Sequence, residues 1–200
     1  MSRDPHKAGS QFFGGRVCFD FANTVDWRTS DAPQELIPDY SSFVAWCVRR
    51  GVISSPVGAR LAANSARQTD PARQTMQKVR DLRSEIWQAA EHLRNGRRVR
   101  VESFNTWLSA LPPQPGLIRR EAGYAFDLPA ATLEEPLWPI LWSLTAVLTS
   151  DDAARVGCCQ AGGCGWFFVD ESPNRTRRWC SSEACGNRER ARRAYAKRRL

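Results

Sequence analysis

Histidine is nearly absent: His6 and His92 are the only two in 200 residues. That scarcity excludes His-based acid/base chemistry and the H-E-x-x-H metalloproteases, and no Ser/His/Asp triad is readable. No carboxylate pair, nucleophile motif or phosphate-cradling loop is placed for catalysis, so the chain is not expected to be an enzyme. The polar start Met1-Ser-Arg-Asp-Pro-His-Lys7 is not followed by the apolar run of an export signal, which points to the cytoplasm. Long apolar runs are missing too. The most apolar stretch, Leu137 to Leu148, is too short to span a bilayer and contains Pro139, so it reads as a buried helix and no membrane partner is expected. No internal repeat or low-complexity segment stands out. Acidic side chains are outnumbered, 21 against 29 Lys and Arg, and the net charge of +8 favours polyanionic partners.

Apolar residues make up 42 %, with eight Trp and nine Phe, enough to bury a core in one domain with a small appendage. Charge is unevenly spread. Residues 1–157 hold 19 basic and 17 acidic side chains, whereas residues 158–200 hold 10 and 4. Five of the seven cysteines, Cys158, Cys159, Cys164, Cys180 and Cys185, fall in the same short tail. Without an export signal they argue for metal spacing over a disulfide framework.

The N-terminal part has mainly helical patterning. Arg16 to Phe21 alternates enough to predict a short strand, left at Ala22-Asn-Thr24. Helices are predicted over 40–50, with Asp39 or Ser41 as N-cap and Gly51 past its end, over 57–67, and over 71–95, with Asp70 as N-cap and Gly96 as stop. Met76, Val79, Leu82, Ile86, Ala90 and Leu93 form the buried stripe of the last of these. A helix over 101–111 is stopped by Pro112-Pro113. Two alternating runs about Glu121-Ala-Gly123, within 116–128, predict a hairpin. Leu133 to Leu148 predicts the core helix.

The tail reads Cys159-Gln-Ala-Gly-Gly-Cys164, fifteen residues, then Cys180-Ser-Ser-Glu-Ala-Cys185. Two close cysteine pairs joined by a loop suit a tetrahedral structural Zn2+, each pair bringing two thiolates to one ion. A tail this short cannot build an adequate core, and a metal worth about 10–16 kcal/mol of apparent binding energy would staple it. An iron–sulfur cluster is the alternative for four cysteines, and free structural thiols the bland one. Cys158 reads as a spare beside Cys159, and Cys18 and Cys47 read as core residues. Four thiolates on a dication leave excess negative charge, which Arg177, Arg178 and Arg188 are placed to offset. Gly165 to Asp170 is strand-like, and the segment after Cys185 predicts a basic helix over 187–199.

These residues closely resemble the CGNR zinc finger family, named for the tetrapeptide Cys185-Gly186-Asn187-Arg188 as it stands here. The match runs through the pair at 159 and 164, the aromatic run to Asp170, Arg177-Arg-Trp-Cys180 and the basic helix. Cys18-Phe-Asp-Phe-Ala-Asn-Thr24 and Trp46 resemble the ABATE domain that accompanies this finger. The resemblance implies a bacterial stress-induced transcription regulator. The expected architecture is mainly α with a small β-hairpin element: an ABATE-like helical domain over 1–154, then a four-cysteine zinc finger over 155–200 ending in a basic helix.

The expected function is zinc-dependent DNA binding. Arg190, Arg192, Arg193, Lys197, Arg198 and Arg199 are candidates to neutralise phosphates, and Arg177, Arg178, Asn187 and Arg188 to read base edges. A solvated charge run is the plain alternative. Other readings are a protein-interaction or redox-sensing zinc module, with Cys158 as resolving thiol, and RNA binding through Trp166, Phe167, Phe168 and Trp179, unless these pack around the metal. Asp20, Asn23, Thr24, Trp27, Trp46 and Arg83 are candidates to line a pocket for a small-molecule effector; alternatively Asn23 and Thr24 cap a helix, the tryptophans fill the core and Asp20 pairs with an arginine. A homodimer is the default assembly for a DNA regulator.

Overall fold

The segment predicted as the first strand is a helix. A computed structural model of the chain describes residues 12–110, 116–120, 123–128 and 131–198, and in it Val17–Ala22 forms α1. Cys18, Phe19, Asp20, Phe21 and Ala22 are all buried, so no solvent face prints a helical period on the sequence. The backbone closes helically, Asp20 N–H donating to the Arg16 carbonyl at 3.0 Å and Asn23 N–H to that of Phe19 at 2.9 Å. Asp20 remains satisfied in the interior: its carboxylate accepts from Gly14 N–H at 2.8 Å and pairs with Arg50 at 2.6 Å.

A two-residue ladder follows, β1 (Val25–Asp26) antiparallel to β2 (Gln34–Glu35). Helix α2 (Tyr40–Arg50) starts where Asp39 accepts from Ser42 N–H at 2.7 Å and ends at Gly51, as its cap residues predict. Helices α3 (Ser55–Arg67) and α4 (Thr69–Arg94) meet at a single residue, Gln68. This abutment corrects the cap assignment: α4 begins before Asp70, which sits inside the first turn. Met76, Val79, Leu82, Ile86 and Ala90 are buried along α4 as its periodicity predicts. Helix α5 (Glu102–Ser109) buries Phe104, and β3 (Gly116–Arg120) pairs antiparallel with β4 (Gly123–Asp127), the predicted hairpin. Pro112-Pro113, the Glu121-Ala122 part of the turn, and Arg199 lie outside the described residues.

The core helix α6 (Leu137–Leu148) starts a turn later than Leu133. Fully buried Glu135 folds the preceding residues into a turn, its carboxylate accepting from Ala131 N–H at 2.5 Å and Thr132 N–H at 2.9 Å. After a 3-10 turn at Asp151–Arg155, β5 (Val156–Cys158) pairs antiparallel with β6 (Phe167–Val169), and a π-type turn at Ser182–Gly186 leads into α7 (Asn187–Lys197).

Alternation along β6 decides how the tail is held. Phe167 and Val169 point into the same core as α1, α2, α4 and α6, while Phe168, with Trp166 just before the strand, packs among the cysteines. The Phe167 ring lies 6.4 Å from that of Phe19. The C-terminal segment is therefore fused to the helical core through one face of β6, with Val156 of β5 beside it. Among the described residues no helix is long and apolar enough to cross a membrane.

Candidate metal centre

Cys159, Cys164, Cys180 and Cys185 are all buried, and their four ligand atoms lie within 4.8 Å of one another. Cys164 Sγ is 3.8 Å from Cys180 Sγ, which is 3.5 Å from Cys185 Sγ. Four sulfurs about 2.3 Å from one ion, at tetrahedral corners, stand about 3.8 Å apart. The separations are too long for a disulfide and fit a single four-coordinate ion. A four-iron cluster would insert sulfides between the thiolates and hold them farther apart.

The four thiols interact with one another: hydrogen bonds from Cys164 and Cys180 pull the Cys159 thiol down to about 7, while the same contacts with Cys159 push Cys164 and Cys180 up. The remaining thiols differ. Burial raises Cys18 to about 12 and pushes Cys47 well above the ordinary range. Cys158 is half-buried, stands outside the quartet, and is raised by burial, with Arg28 opposing. Cys159, not Cys158, thus belongs to the first pair.

The knuckle Cys159–Cys164 is shaped locally and from outside. Cys159 N–H donates to the Trp166 carbonyl at 2.8 Å, and Cys164 N–H to that of Ala161 at 3.1 Å. Gly165 follows with φ +67°, and a Cβ there would stand 2.4 Å from Thr29 Cγ2. Arg28 and Thr29 N–H groups donate to the Cys164 and Gly163 carbonyls, both at 3.1 Å. Arg28 also donates from Nε to the Gly165 carbonyl at 2.9 Å and lies 4.4 Å over the Phe167 ring.

The arginines expected near the sulfurs divide by role. Arg188 Nη2 stands 3.2 Å from Cys185 Sγ while its guanidinium stacks 4.2 Å over Trp27. Its Nη1 is buried without a hydrogen-bond partner, a cationic donor suited to an ionised sulfur cage. Arg177 braces the loop: it donates to the carbonyls of Phe13 at 2.7 Å, Cys180 at 2.6 Å, Trp179 at 3.1 Å and Val169 at 3.2 Å, and stacks 4.1 Å over Phe168. Arg178 stays outside, donating to Gln160 at 2.9 Å and lying 5.4 Å over Trp179.

Helix α7 leaves the site directly after Cys185. Its buried Glu189 accepts from Gly162 N–H at 3.3 Å and pairs with Arg192 at 3.0 Å, tying the helix to the first knuckle. Asn187 accepts from Arg190 at 2.6 Å. Arg190, Arg193 and Lys197 recur at helical spacing on one exposed face, and Arg198 is exposed beyond the last turn. The side chains of Arg193, Lys197 and Arg198 make no hydrogen bond or ion pair among the described residues.

Residues 15–151 match the ABATE family model, described as "Putative stress-induced transcription regulator", and residues 155–198 match that of the CGNR zinc finger. The chain belongs to the ABATE family. No curated protein matches its sequence. Both matches name a regulator and a zinc finger, not an enzyme family.

Within the ABATE part, the polar residues expected to line a pocket meet protein partners. Asn23 pairs with the backbone of Phe167 in the CGNR finger, its Nδ2 donating to the carbonyl at 2.9 Å and its Oδ1 accepting from N–H at 2.8 Å. Thr24 donates to the Phe21 carbonyl at 2.7 Å and accepts from Arg83 at 2.8 Å, and Arg83 forms a two-pronged ion pair with Glu35. Trp27 lies against Arg188 and Gly163, Trp46 packs between Phe12 and Phe21, and Asp20 pairs with Arg50. Asn23 holds the finger and Thr24 with Arg83 the strand ladder beside it, while Asp20 ties the turn at Gly14 to α2 through Arg50. Burial raises the Asp20 carboxyl above its ordinary range, with Gly14 N–H and Arg50 opposing.

Arg28, Glu35 and Glu189 escape sequence reasoning because their partners are remote in the chain. Gly163 and Gly165 ahead of Trp166 show that something presses on the knuckle, but not that Trp27–Thr29 does. Trp166, Phe167 and Phe168 are buried, so they offer no exposed platform for stacking RNA bases.

Proposed function

We propose that this ABATE protein is a zinc-dependent, DNA-binding transcription regulator. Four thiolates in a closed tetrahedral set suit Zn2+, with no position left open for chemistry. The ion would be held by Cys159, Cys164, Cys180 and Cys185, and its contribution is structural. Arg188 offsets the cage's charge, and Arg177 locks the loop that carries Cys180.

The observation that carries the reading is the basic face of α7, which begins at the metal cage. Arg190, Arg193 and Lys197 line one side, Arg198 extends it, and Arg178 continues it across Trp179. An exposed row of cations on a helix rigidly joined to a stapled module suits the phosphates of a duplex. Arg192 contributes less, being paired with Glu189. Arg177 and Arg188 act as positioning residues because their guanidinium groups are committed to carbonyls and sulfur. Asn187 at the helix start and Arg178 are the side chains of the earlier set best placed for base edges.

On this reading residues 1–154 form the sensing unit and residues 155–200 the DNA-binding unit. Space for an effector exists away from the residues that dock the finger, in a groove of about 710 Å³ between the start of α2, α3 and α4 lined by Tyr40, Ala62, Ala66, Ala72, Met76 and Arg80 among others.

The test is the salt dependence of duplex binding. Replacing Arg190, Arg193 and Lys197 together by Ala should reduce the log–log salt slope by about 2–3, at about 0.9 per phosphate contact. An unchanged slope with the fold and metal intact would refute the assignment.

A further inference from the structure

The loop that leaves α4 carries Arg94-Asn-Gly-Arg-Arg-Val-Arg100, four arginines in seven residues without an acid. Its shape is built. Gly96, at φ +63°, and Arg97 close the end of α4, their N–H groups donating to the carbonyls of Leu93 at 3.0 Å and His92 at 2.8 Å. That pair of bonds is the Schellman closure. Val99 then packs against the main core, so the flanking Arg98 and Arg100 are turned to solvent. Arg97, Arg98 and Arg100 are exposed, and their side chains make no hydrogen bond or ion pair among the described residues.

A cation in the last turn of a helix is explained by the helix dipole, and that suffices for Arg94, which also pairs with Glu91 at 2.7 Å. It does not account for Arg98 and Arg100, which lie beyond the helix end. The acids that flank the segment are Glu91, shared between Arg94 and Arg28, and Glu102 in α5. Three arginines are left uncompensated on an ordered turn.

The turn also lies next to the CGNR finger. Arg28 spans the junction: its Nη2 is 3.3 Å from Glu91 on α4 and 4.0 Å from Cys158 Sγ on β5, and its Nε bonds Gly165 beside the metal knuckle. Trp27, its neighbour in the chain, carries the guanidinium of Arg188 at the start of α7. The end of α4 and the start of α7 thus converge on one dipeptide, within the reach of one duplex turn of ~34 Å.

We propose that Arg97, Arg98 and Arg100 form a second phosphate-binding element for duplex DNA, contributed by the ABATE part and working beside α7. The inference rests on the DNA-binding reading above. These side chains track backbone phosphates and do not read sequence, because they sit on a turn with no helix or strand to enter a groove.

The experiment compares three full-length, metal-loaded proteins by fluorescence anisotropy on one duplex across a salt series: wild type, Arg97→Ala/Arg98→Ala/Arg100→Ala, and a control, Arg49→Ala/Arg60→Ala/Arg67→Ala. The control removes equal charge from exposed positions on α2 and α3 that lie outside the groove; Arg67 precedes the start of α4, about 39 Å along that helix from its far end. Circular dichroism melts and metal content verify that all three fold. The loop variant should lose about 1–3 from the salt slope and weaken every duplex sequence by the same factor, with the control close to wild type. A loop variant with the wild-type slope, or a control that loses as much, would overturn the inference. Wild type that fails to bind any duplex would instead overturn the DNA-binding reading on which it rests.

Discussion

Replacing Asn23 by alanine strips Phe167 of both side-chain partners of its backbone at once. The carboxamide spans the junction between α1 and β6, and Asn23 is buried at 5 % exposure, so water cannot take its place without opening the core. An unpaired buried donor or acceptor costs about 1–3 kcal/mol, and two are created here, so the expected loss is about 2–6 kcal/mol. For a chain of this size that lowers Tm by roughly 4–24 °C. Differential scanning calorimetry and urea unfolding of the metal-loaded protein measure it, with metal release to a chelator followed in parallel. Release should accelerate, because β6 leads straight from the first cysteine pair. Asn23→Asp keeps an acceptor for the N–H but lacks the donor, and should recover part of the loss as falling pH protonates it. A loss below about 1 kcal/mol with unchanged release would refute the idea that this pair clamps the finger.

Three further outcomes follow from the same geometry. Gly165→Ala should cost about 1–2 kcal/mol in the left-handed conformation alone, plus the Thr29 clash, and Thr29→Ala should relieve only the second part, as urea unfolding of the single and double variants would reveal. Arg188→Ala should weaken metal affinity about 10–100-fold in a competition titration, with Arg188→Lys in between because it keeps the charge but loses the flat stack on Trp27. Asp39→Ala should cost about 1 kcal/mol at neutral pH through the lost cap of α2. The hydrogen bonds from Ser42 hold the folded Asp39 carboxyl below its ordinary value, so its contribution is present above about pH 4 and disappears as pH falls through the lowered value. Wild-type and variant melting curves should therefore converge in acid.

The metal cage was legible because its signal is local: two C-x4-C pairs fix the ligands before any fold is known. The helices of the N-terminal part were legible where one face meets water, as along α4, and where a cap residue stands at the boundary, as at Asp39. Both signals failed at α1, whose side chains are buried on nearly every side, and at the start of α4, where α3 leaves no room for a cap. The pairing of Asp20 with an arginine was legible as the alternative to a pocket, whereas the bond of Asn23 to β6 was not. A polar residue on an apolar segment announces that it has a buried partner; it does not say whether that partner is a ligand, a nearby arginine or a strand 144 residues away. The division near residue 155 follows the composition, yet Val156, Phe167 and Val169 complete the helical core, so a chain cut there would expose Phe19 and its neighbours.

If the thiolate cage, by holding zinc, presents α7 to duplex DNA, the salt slope of duplex binding must depend on the metal, measured on the same protein before and after a chelator removes it. A steep slope with one Zn2+ per chain, collapse of binding on chelation, and recovery when zinc is restored are then expected. Metal-free protein that binds with the original slope would contradict that dependence.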